Sequence, residues 1–309
     1  MAKAVVIGAN GFIGSHLVDS LVADGLDVTA FDRFSSVEPT FATDQVRLLQ
    51  GEFLSRSDLE EAVRGQDYVF HFLSTTSPAT AEADPTLDIR TNVAQSVELL
   101  ESSVEAGVQH FYYASTGGAI YGPQDKLEYA ETDRALPISP YGIGKLSVEH
   151  YLHYFRAKHG LNSTALRISN PYGTRQKANK KQGLIPIALR QIFLGLPITR
   201  LGNGSMVRDY VYVEDLVRMV TSMVGVDTDF DLYNLGSGQG HSVNAIIESL
   251  RRVTDIDFEV IERIAPPTFV DRVVLNTARY RAEFESGSLT TLDDGVRLTY
   301  AEMVRGSNE

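Results

Sequence analysis

The sequence contains no cysteine and no tryptophan among its 309 residues. Without cysteine, the chain cannot form disulfides, cysteine-ligated zinc sites, iron–sulfur clusters or a thiolate nucleophile. Its 28 lysine and arginine residues face 40 aspartate and glutamate residues, and the resulting net charge of −12 argues against a nucleic-acid partner. No apolar run approaches about eighteen residues, and the N-terminus lacks the features of a signal peptide. We therefore expect a cytoplasmic protein without a transmembrane segment; peripheral contact with a membrane stays open.

Short apolar runs alternate with helix-length amphipathic segments through the first half of the chain, a pattern typical of βαβ units. The predicted strands are 4–8, 27–32, 46–50, 67–73, 110–115 and 163–168. The predicted helices are 12–23, 56–64, 89–106 and 140–158. This order predicts an α/β fold with a doubly wound parallel sheet of the Rossmann type.

Longer loops with glycine and proline follow residue 168 and are interleaved with shorter helices. We predict a dinucleotide-binding domain over 1–168 and a smaller α/β lobe, mainly for substrate binding, over 169–309. Segments around 206–250 include a strand-like run at 232–235 and are expected to return in part to the large domain.

A glycine-rich turn, Gly8-Ala9-Asn10-Gly11-Phe12-Ile13-Gly14, joins the first predicted strand to the first helix. Glycine at such a turn lets the backbone approach a pyrophosphate and lets the helix pack closely on the strand. Asp32 closes the second strand, where a carboxylate accepts hydrogen bonds from ribose hydroxyls and repels a 2′-phosphate. This favours NAD over NADP, although Arg33 weakens the preference. The alternative is a strand-to-helix turn that binds no ligand.

Tyr141 and Lys145 are four residues apart in a segment that Pro140 is suited to start as a helix, so both side chains are expected on one helical face. A neighbouring ammonium favours the phenolate form of tyrosine, which then acts as a general base. Such pairs are common on helices without any function. Two loops at the predicted carboxyl edge of the sheet, 115–122 and 167–173, favour a catalytic role here.

In this combination of motifs the chain resembles the extended short-chain dehydrogenase/reductase family, and within it the nucleotide-sugar 4-epimerases similar to UDP-galactose 4-epimerase. The resemblance spans about residues 3–299. Stretches 71–78 and 168–176 are also similar to a bacterial subgroup that epimerises N-acetylglucosamine-diphosphate-undecaprenol or related UDP-sugars. The motifs are the glycine turn, Asp32, the 115–122 loop, Tyr141 with Lys145, Asn170-Pro171, Gly202-Asn203-Gly204 and the run 208–213.

The resemblance implies that Tyr141 removes the proton from the sugar 4-hydroxyl while a hydride passes to tightly held NAD, and that Lys145 holds the nicotinamide ribose. It implies cofactor contacts at Gly8, Asn10, Gly11, Phe12, Ile13, Gly14, Asp32, Arg33, Glu52, Phe53, Phe72, Asn92, Ser115, Tyr141 and Lys145. Expected substrate contacts are Thr76, Thr116, Asn170, Leu184, Arg208 and Arg272. No metal is expected.

The chain departs from the family pattern at three places. Gly117 stands where the family has its catalytic Ser or Thr, so Thr116 or Ser115 must supply the hydroxyl, and we favour Thr116. Gly118-Ala119 replaces the acidic pair of the dehydratases, which argues against sugar 4,6-dehydration. Pro266 and Phe269 stand where a phosphate-binding Arg and an Asp are expected; Arg263 or Arg272 is a candidate substitute.

Three further features bear on partners. Arg175, Lys177, Lys180 and Lys181 form a basic run that is either a solvated loop or a region attracting a diphosphate or an anionic membrane. His150, His153 and His159 lack a clear third ligand for a metal and are interpreted as surface or interface residues. Helices 89–106 and 140–158 carry apolar residues on more than one face. In the family these two helices pack against their copies in a second subunit, so we expect a homodimer.

We therefore predict an isomerase, an NAD-dependent 4-epimerase of a hexose or N-acetylhexosamine on a nucleotide diphosphate or a polyprenyl diphosphate. The alternatives are a net NAD-dependent sugar-nucleotide oxidoreductase and, from a different class, a non-catalytic NAD-sensing protein. The sugar, its carrier and the direction of the reaction stay open.

Overall fold

The structure, a computed structural model, describes residues 1–34, 38–177, 183–264, 270–284 and 287–305. Its largest sheet has seven strands in the order β10-β6-β5-β4-β1-β2-β3, and each neighbouring pair is parallel. The strands are β1 (Lys3–Ile7), β2 (Asp27–Asp32), β3 (Val46–Gln50), β4 (Tyr68–His71), β5 (His110–Thr116), β6 (Asn162–Ile168), β7 (Asn170–Tyr172), β8 (Ile198–Leu201), β9 (Val207–Tyr212), β10 (Leu232–Leu235), β11 (Gly240–Ser242), β12 (Val260–Arg263) and β13 (Arg272–Val273).

Helices cover both faces of this sheet. The helices are α1 (Phe12–Ala23), α2 (Arg56–Val63), α3 (Pro78–Ala83), α4 (Pro85–Asp88), α5 (Ala94–Glu105), α6 (Gly117–Ile120), α7 (Pro140–His159), α8 (Leu184–Phe193), α9 (Val213–Thr221), α10 (Val243–Thr254), α11 (Ala278–Glu283) and α12 (Leu292–Arg305). Three of them, α8, α10 and α12, share a separate core in the second half of the chain. The first helix has the predicted bounds. The predicted helix 89–106 instead begins with a π-helical turn, Ile89–Val93, before α5.

The two faces of the sheet bury separate hydrophobic cores because successive strand residues point to opposite sides. Val5 and Ile7 of β1 join the core under α5 and α7, whereas Ala4 and Val6 join the core under α1 and α9. All four are fully buried, as expected for a central parallel strand covered on both faces. The predicted doubly wound α/β fold is confirmed.

The carboxyl ends of β1, β5 and β6 meet at one edge of the sheet because these strands run parallel. Ligands of open α/β sheets bind at this edge. The glycine turn, the 115–122 loop and the start of the segment after residue 168 therefore lie on the same side of the molecule.

The second half of the chain adds two small sheets and returns one strand to the large one. Strand β9 pairs with β7, β11 and β13, and β8 pairs with β12. Strand β10, the run predicted at 232–235, pairs with β6 at the edge of the large sheet. The division into domains at residue 168 stays a prediction. None of the helices in the described ranges is long and apolar enough to cross a membrane.

Candidate active site

The glycine turn after β1 brings helix and strand into backbone contact. A Cβ atom added at Gly14 would lie 2.1 Å from the carbonyl oxygen of Gly8, and that oxygen belongs to the rigid turn itself. Only glycine allows this approach. No side chain caps the N-terminus of α1, so its first amides keep free hydrogen-bonding capacity, and the helix dipole adds positive potential there.

Asp32 lies beside this turn at the end of β2. Its carboxylate accepts hydrogen bonds from the backbone N–H of Asn10 at 2.9 Å and of Arg33 at 2.7 Å. The Asn10 side chain is held in turn by Thr40, whose N–H and hydroxyl donate to Oδ1 at 2.8 and 2.9 Å. An uncapped helix start next to a fixed carboxylate fits a diphosphate and an adenosine ribose, so these residues suit a dinucleotide.

The other predicted cofactor residues differ in what their side chains offer. Arg33 and Glu52 are exposed, and Phe72 is half-buried. Phe53 is buried, with its ring centroid 5.2 Å from that of His71 inside the core, so its side chain is a core residue. Asn92 lies in the π-helical turn, where its side-chain amide donates to the Thr76 hydroxyl at 2.8 Å.

Tyr141 and Lys145 lie in the first two turns of α7, as their spacing predicts. Ser139 caps the helix by accepting a hydrogen bond from the Gly142 N–H at 3.2 Å, and Pro140 is the first helical residue. The Lys145 ammonium lies 5.8 Å from the centre of the Tyr141 ring and donates to the Ala114 carbonyl at 2.7 Å. Because Ala114 is two residues from the end of β5, this bond ties the pair to the carboxyl edge of the sheet.

The ionisation of this pair differs from the sequence-based expectation. Burial lowers the pKa of Lys145 to about 8, although Asp88 and Glu149 act against this decrease. Burial and the Asp88 carboxylate raise the pKa of Tyr141 to about 12. In the protein by itself, burial therefore outweighs the effect of the neighbouring ammonium, and Tyr141 is a protonated phenol at neutral pH.

Ser115 and Thr116 at the end of β5 and Gly117 at the start of α6 have different surroundings. The Ser115 hydroxyl donates its hydrogen to Glu149 Oε1 at 2.5 Å, and not to Tyr141. The space at Gly117 is filled by Leu275, whose Cδ1 would lie 2.5 Å from an added Cβ. Thr116 is buried and its hydroxyl lies near Gly118, on the side of Asn170.

Glu149 and Arg167 form a buried ion pair behind the site that the sequence reasoning missed. Arg167 donates from Nε and Nη2 to the two Glu149 oxygens at 3.1 and 2.7 Å, and their side chains are only 5% and 9% exposed. The guanidinium also lies 5.0 Å from the centre of the Tyr121 ring. One signal was available: Glu149 continues the Tyr141–Lys145 spacing by four residues, which predicts a carboxylate on the same inward face.

Two predicted substrate arginines occupy neighbouring strands of the small sheet. Arg208 on β9 is half-buried and donates from Nη1 to the Val207 carbonyl at 2.8 Å. Arg272 on β13 donates from Nε to the Leu127 carbonyl at 2.7 Å. A cavity of about 550 Å³ opens beside Arg272 and is lined by residues 123–127 and 270–272. Arg263 lies on β12, which belongs to a different sheet.

The remaining predicted substrate residues are spread around this edge. Asn170 donates from Nδ2 to the Asp209 carbonyl at 2.9 Å and keeps Oδ1 next to Gly118. The Thr76 hydroxyl is already used, because it donates to Asp88 Oδ1. Leu184 starts α8 and is half-buried in the core of the second half.

The basic run is only partly described. Arg175 pairs with Asp19 of α1 at 2.7 Å, so its charge is neutralised there, whereas Lys177 is exposed. Lys180 and Lys181, like Pro266 and Phe269, lie outside the described residues.

The histidines of α7 face solvent. His150, His153 and His159 are all exposed. Among the described residues, no three His, Asp or Glu side chains form a group that could hold a metal ion.

The sequence matches a known protein family and is similar to several named relatives. Residues 4–236 match the NAD dependent epimerase/dehydratase family. The chain is 28% identical to a dTDP-4-dehydro-6-deoxyglucose reductase of Escherichia coli over 94% of both chains. It is 31% identical to a UDP-glucose 4-epimerase of Mycolicibacterium smegmatis, over 76% of this chain and 77% of the relative.

Solved structures of epimerases superpose on nearly the whole chain. The UDP-glucose 4-epimerase of Thermotoga maritima with UDP-glucose is 33% identical, with a TM-score of 0.92 over 99% of this chain and all of that one. The UDP-glucose 4-epimerase of Thermus thermophilus with NAD is 30% identical, with a TM-score of 0.90 over 99% of both chains. A UDP-N-acetylglucosamine 4-epimerase of Methanobrevibacter ruminantium in complex with UDP-N-acetylmuramic acid is 26% identical, with a TM-score of 0.90 over 99% of both chains.

Proposed function

Because the chain belongs to the NAD dependent epimerase/dehydratase family, we propose that it is an NAD-dependent 4-epimerase of a diphosphate-activated hexose or N-acetylhexosamine. The observation that carries this proposal is the Tyr141–Lys145 pair, tied to the end of β5 by the 2.7 Å bond from Lys145 to Ala114. The glycine turn and Asp32 at the same sheet edge support NAD as the cofactor. Epimerase relatives that hold UDP-glucose or NAD support the substrate class.

Each residue of the pair has a separate task in this reaction. When bound, NAD supplies the acceptor and donor for the hydride at carbon 4 of the sugar. As a phenolate, a form that Lys145 and the positive charge of an oxidised nicotinamide would favour against burial, Tyr141 would take the proton of the 4-hydroxyl and return it after the sugar has turned over. Lys145 uses one N–H for Ala114 and has two more for the cofactor ribose and the phenol oxygen. The uncapped start of α1 and Asp32 would hold the diphosphate and the adenosine ribose.

The diphosphate of the substrate is assigned to Arg208 and Arg272. Both side chains keep guanidinium N–H groups beyond those given to backbone carbonyls, and an arginine can bind phosphate oxygens with two parallel bonds. Arg272 is our choice over Arg263 because it lies on a strand next to Arg208. Uridine diphosphate, another nucleotide diphosphate and a polyprenyl diphosphate are all consistent with this pair of cations.

A panel of sugars tests the function. Purified protein is incubated, without added cofactor, with UDP-glucose, UDP-N-acetylglucosamine and their polyprenyl-diphosphate counterparts. The proposal expects conversion of at least one substrate into its 4-epimer with no net change in NADH absorbance. A stoichiometric rise in NADH with a keto-sugar product would contradict it.

A net oxidoreductase is the second candidate function. The 28% identity to a dTDP-4-dehydro-6-deoxyglucose reductase over 94% of both chains favours it. Adding a 4-keto-6-deoxy sugar nucleotide with NADH or NADPH to the panel separates the two, since a reductase consumes the reduced cofactor with that sugar and forms no epimer from the other substrates.

Thr116 is proposed as the hydroxyl that hydrogen-bonds the reacting oxygen. We expect Thr116→Val to lower kcat by about 10- to 100-fold, because a hydroxyl that stabilises the transition state is removed while volume is kept. The matched control is Ser115→Ala, which removes a hydroxyl held by Glu149 and is expected to change stability more than kcat. Steady-state kinetics and thermal unfolding of both variants decide the point. A reversed ranking would assign the catalytic hydroxyl to Ser115.

The decrease of kcat/KM at high pH, the high-pH limb of its profile, is expected to follow the deprotonation of Lys145. Because burial lowers its pKa to about 8, the ammonium is present below that pH and is lost as the pH rises through it. We expect kcat/KM to fall above about pH 8. A profile that stays flat to about pH 10, the range of an unperturbed lysine, would argue against this assignment.

A homodimer formed through α7 is proposed from the residues it exposes. Ile143, Tyr151 and Tyr154 fall on one stripe of the helix and are 52%, 40% and 44% exposed, and Ile89 nearby is 58% exposed. Analytical ultracentrifugation should show a dimer that Tyr151→Glu weakens; a monomeric parent protein would contradict the proposal.

A cytoplasmic location stays a prediction.

A further inference from the structure

Asp88 is a buried carboxylate next to the helix that carries Tyr141 and Lys145. It ends α4, is only 3% exposed, and directly precedes the π-helical turn. Its Oδ1 accepts hydrogen bonds from the Thr76 hydroxyl and from Asn92 Nδ2, the latter at 2.8 Å. No lysine or arginine of the described ranges forms a salt bridge with it. Burying an unpaired carboxylate is costly, so its presence needs a reason.

The second oxygen of Asp88 touches the backbone of the catalytic helix. A Cβ added at Gly144 would lie 2.0 Å from Asp88 Oδ2. Glycine inside a helix is less favourable than alanine, because it loses more backbone freedom on folding. Gly144 therefore makes room for a charge next to the turn of α7 that separates Tyr141 from Lys145.

The charged and titratable groups that face Lys145 come from four elements. Tyr141 and Glu149 lie on α7, Tyr113 lies on β5 with its ring centre 4.8 Å from Nζ, His71 lies on β4, and Asp88 lies on α4. The charge of Glu149 is balanced by Arg167. Burial lowers the pKa of His71 to about 3, which leaves that ring uncharged at neutral pH. Asp88 is thus the one unbalanced carboxylate in this set.

We propose that Asp88 is the counter-charge of the Lys145 ammonium and so a positioning residue for the Tyr141–Lys145 pair. This inference rests on the proposed function, because it assumes that the pair carries the proton transfer. The carboxylate stabilises the ammonium and disfavours the phenolate, so it moves both ionisations toward higher pH. Asp88 does not touch the reacting atoms on this account; it acts through Lys145 and Tyr141.

The variant Asp88→Asn tests this charge with little change in shape. The amide keeps one oxygen for Thr76 and Asn92 and removes only the negative charge. We expect the high-pH limb of the kcat/KM profile, which is assigned to Lys145, to move to lower pH by about one unit, the lower end of what a neighbouring charge does. A purely structural role predicts a lower maximum with this limb in place, and that result would overturn the inference.

A spectroscopic titration measures the effect of Asp88 on the pKa of Tyr141 without turnover. Ionisation of Tyr141 is followed by phenolate absorbance as the difference between a protein and its Tyr141→Phe variant. The midpoint should be lower in the Asp88→Asn background than in the parent background. Equal midpoints in the two backgrounds would contradict the proposal.

Two further variants complete the test. Gly144→Ala should displace the carboxylate and shift the high-pH limb in the same direction as Asp88→Asn. Asp84→Asn is the matched control, because Asp84 is exposed and caps α4 by accepting from the Leu87 N–H at 3.1 Å and the Thr86 hydroxyl at 2.8 Å; its high-pH limb should stay in place. If Tyr141→Phe keeps full turnover, the proposed function fails; if it is inactive and Asp88→Asn does not shift, only the Asp88 inference fails.

Discussion

Replacing Tyr141 with phenylalanine is expected to lower turnover by about 10²- to 10⁴-fold, the range that a single general acid–base group contributes. The ring keeps its place on α7 and Lys145 keeps its bond to Ala114, so cofactor binding and stability should change little. In the proposed reaction the phenol oxygen of Tyr141 carries the proton, and phenylalanine has no group that can replace it.

The matched control is Tyr151→Phe, ten residues further along the same helix. Tyr151 is 40% exposed and far along α7 from the pair, so its hydroxyl has no role in the reaction. Steady-state kinetics and bound NAD content are measured for both variants. A Tyr141→Phe protein with full turnover would remove the catalytic assignment of Tyr141.

Replacing Glu149 with alanine is expected to destabilise the protein by about 3–5 kcal/mol, the cost of leaving a buried charge unpaired. Arg167 would keep its guanidinium beneath Tyr121 with no carboxylate to accept its Nε and Nη2 bonds. The Ser115 hydroxyl would lose its partner as well. The free energy of unfolding is measured by urea denaturation.

An exposed ion pair supplies the comparison for this variant. Arg56 and Glu60 form a 3.0 Å pair on α2 with side chains 47% and 43% exposed, so Glu60→Ala should lower the stability far less than Glu149→Ala. The double change Glu149→Met with Arg167→Met removes both charges and should recover part of the loss. Equal stabilities for Glu149→Ala and Glu60→Ala would show that the buried pair contributes little.

Patterns local in sequence predicted most of the fold. The strands β2 and β3 and the helix α1 have the predicted bounds, because short apolar runs and amphipathic periodicity predict those elements directly. The π-helical turn before α5 was not predicted. It depends on how this segment packs against the glycine-bearing face of α7, which no local pattern encodes.

The candidate site was less accessible from sequence than the fold. The spacing of Tyr141 and Lys145 predicts that they share a helical face. Their pKa values, however, depend on burial and on the charge of Asp88, which lies more than fifty residues away in the chain. The choice between Ser115 and Thr116 depends on Glu149, since that carboxylate already accepts the Ser115 hydroxyl. The assignment of individual residues to cofactor and substrate, and the two-domain division, stay predictions.

The most direct test of the central claim follows the hydrogen at carbon 4 of the sugar. UDP-glucose carrying deuterium at that carbon is incubated with the protein, and the 4-epimer is analysed by mass spectrometry and NMR. The account predicts that the product keeps the deuterium at carbon 4 while no free NADH accumulates. Loss of the deuterium from the product, or its appearance in released NADH beside a 4-keto sugar, would contradict epimerisation by transient oxidation and would favour the net oxidoreductase.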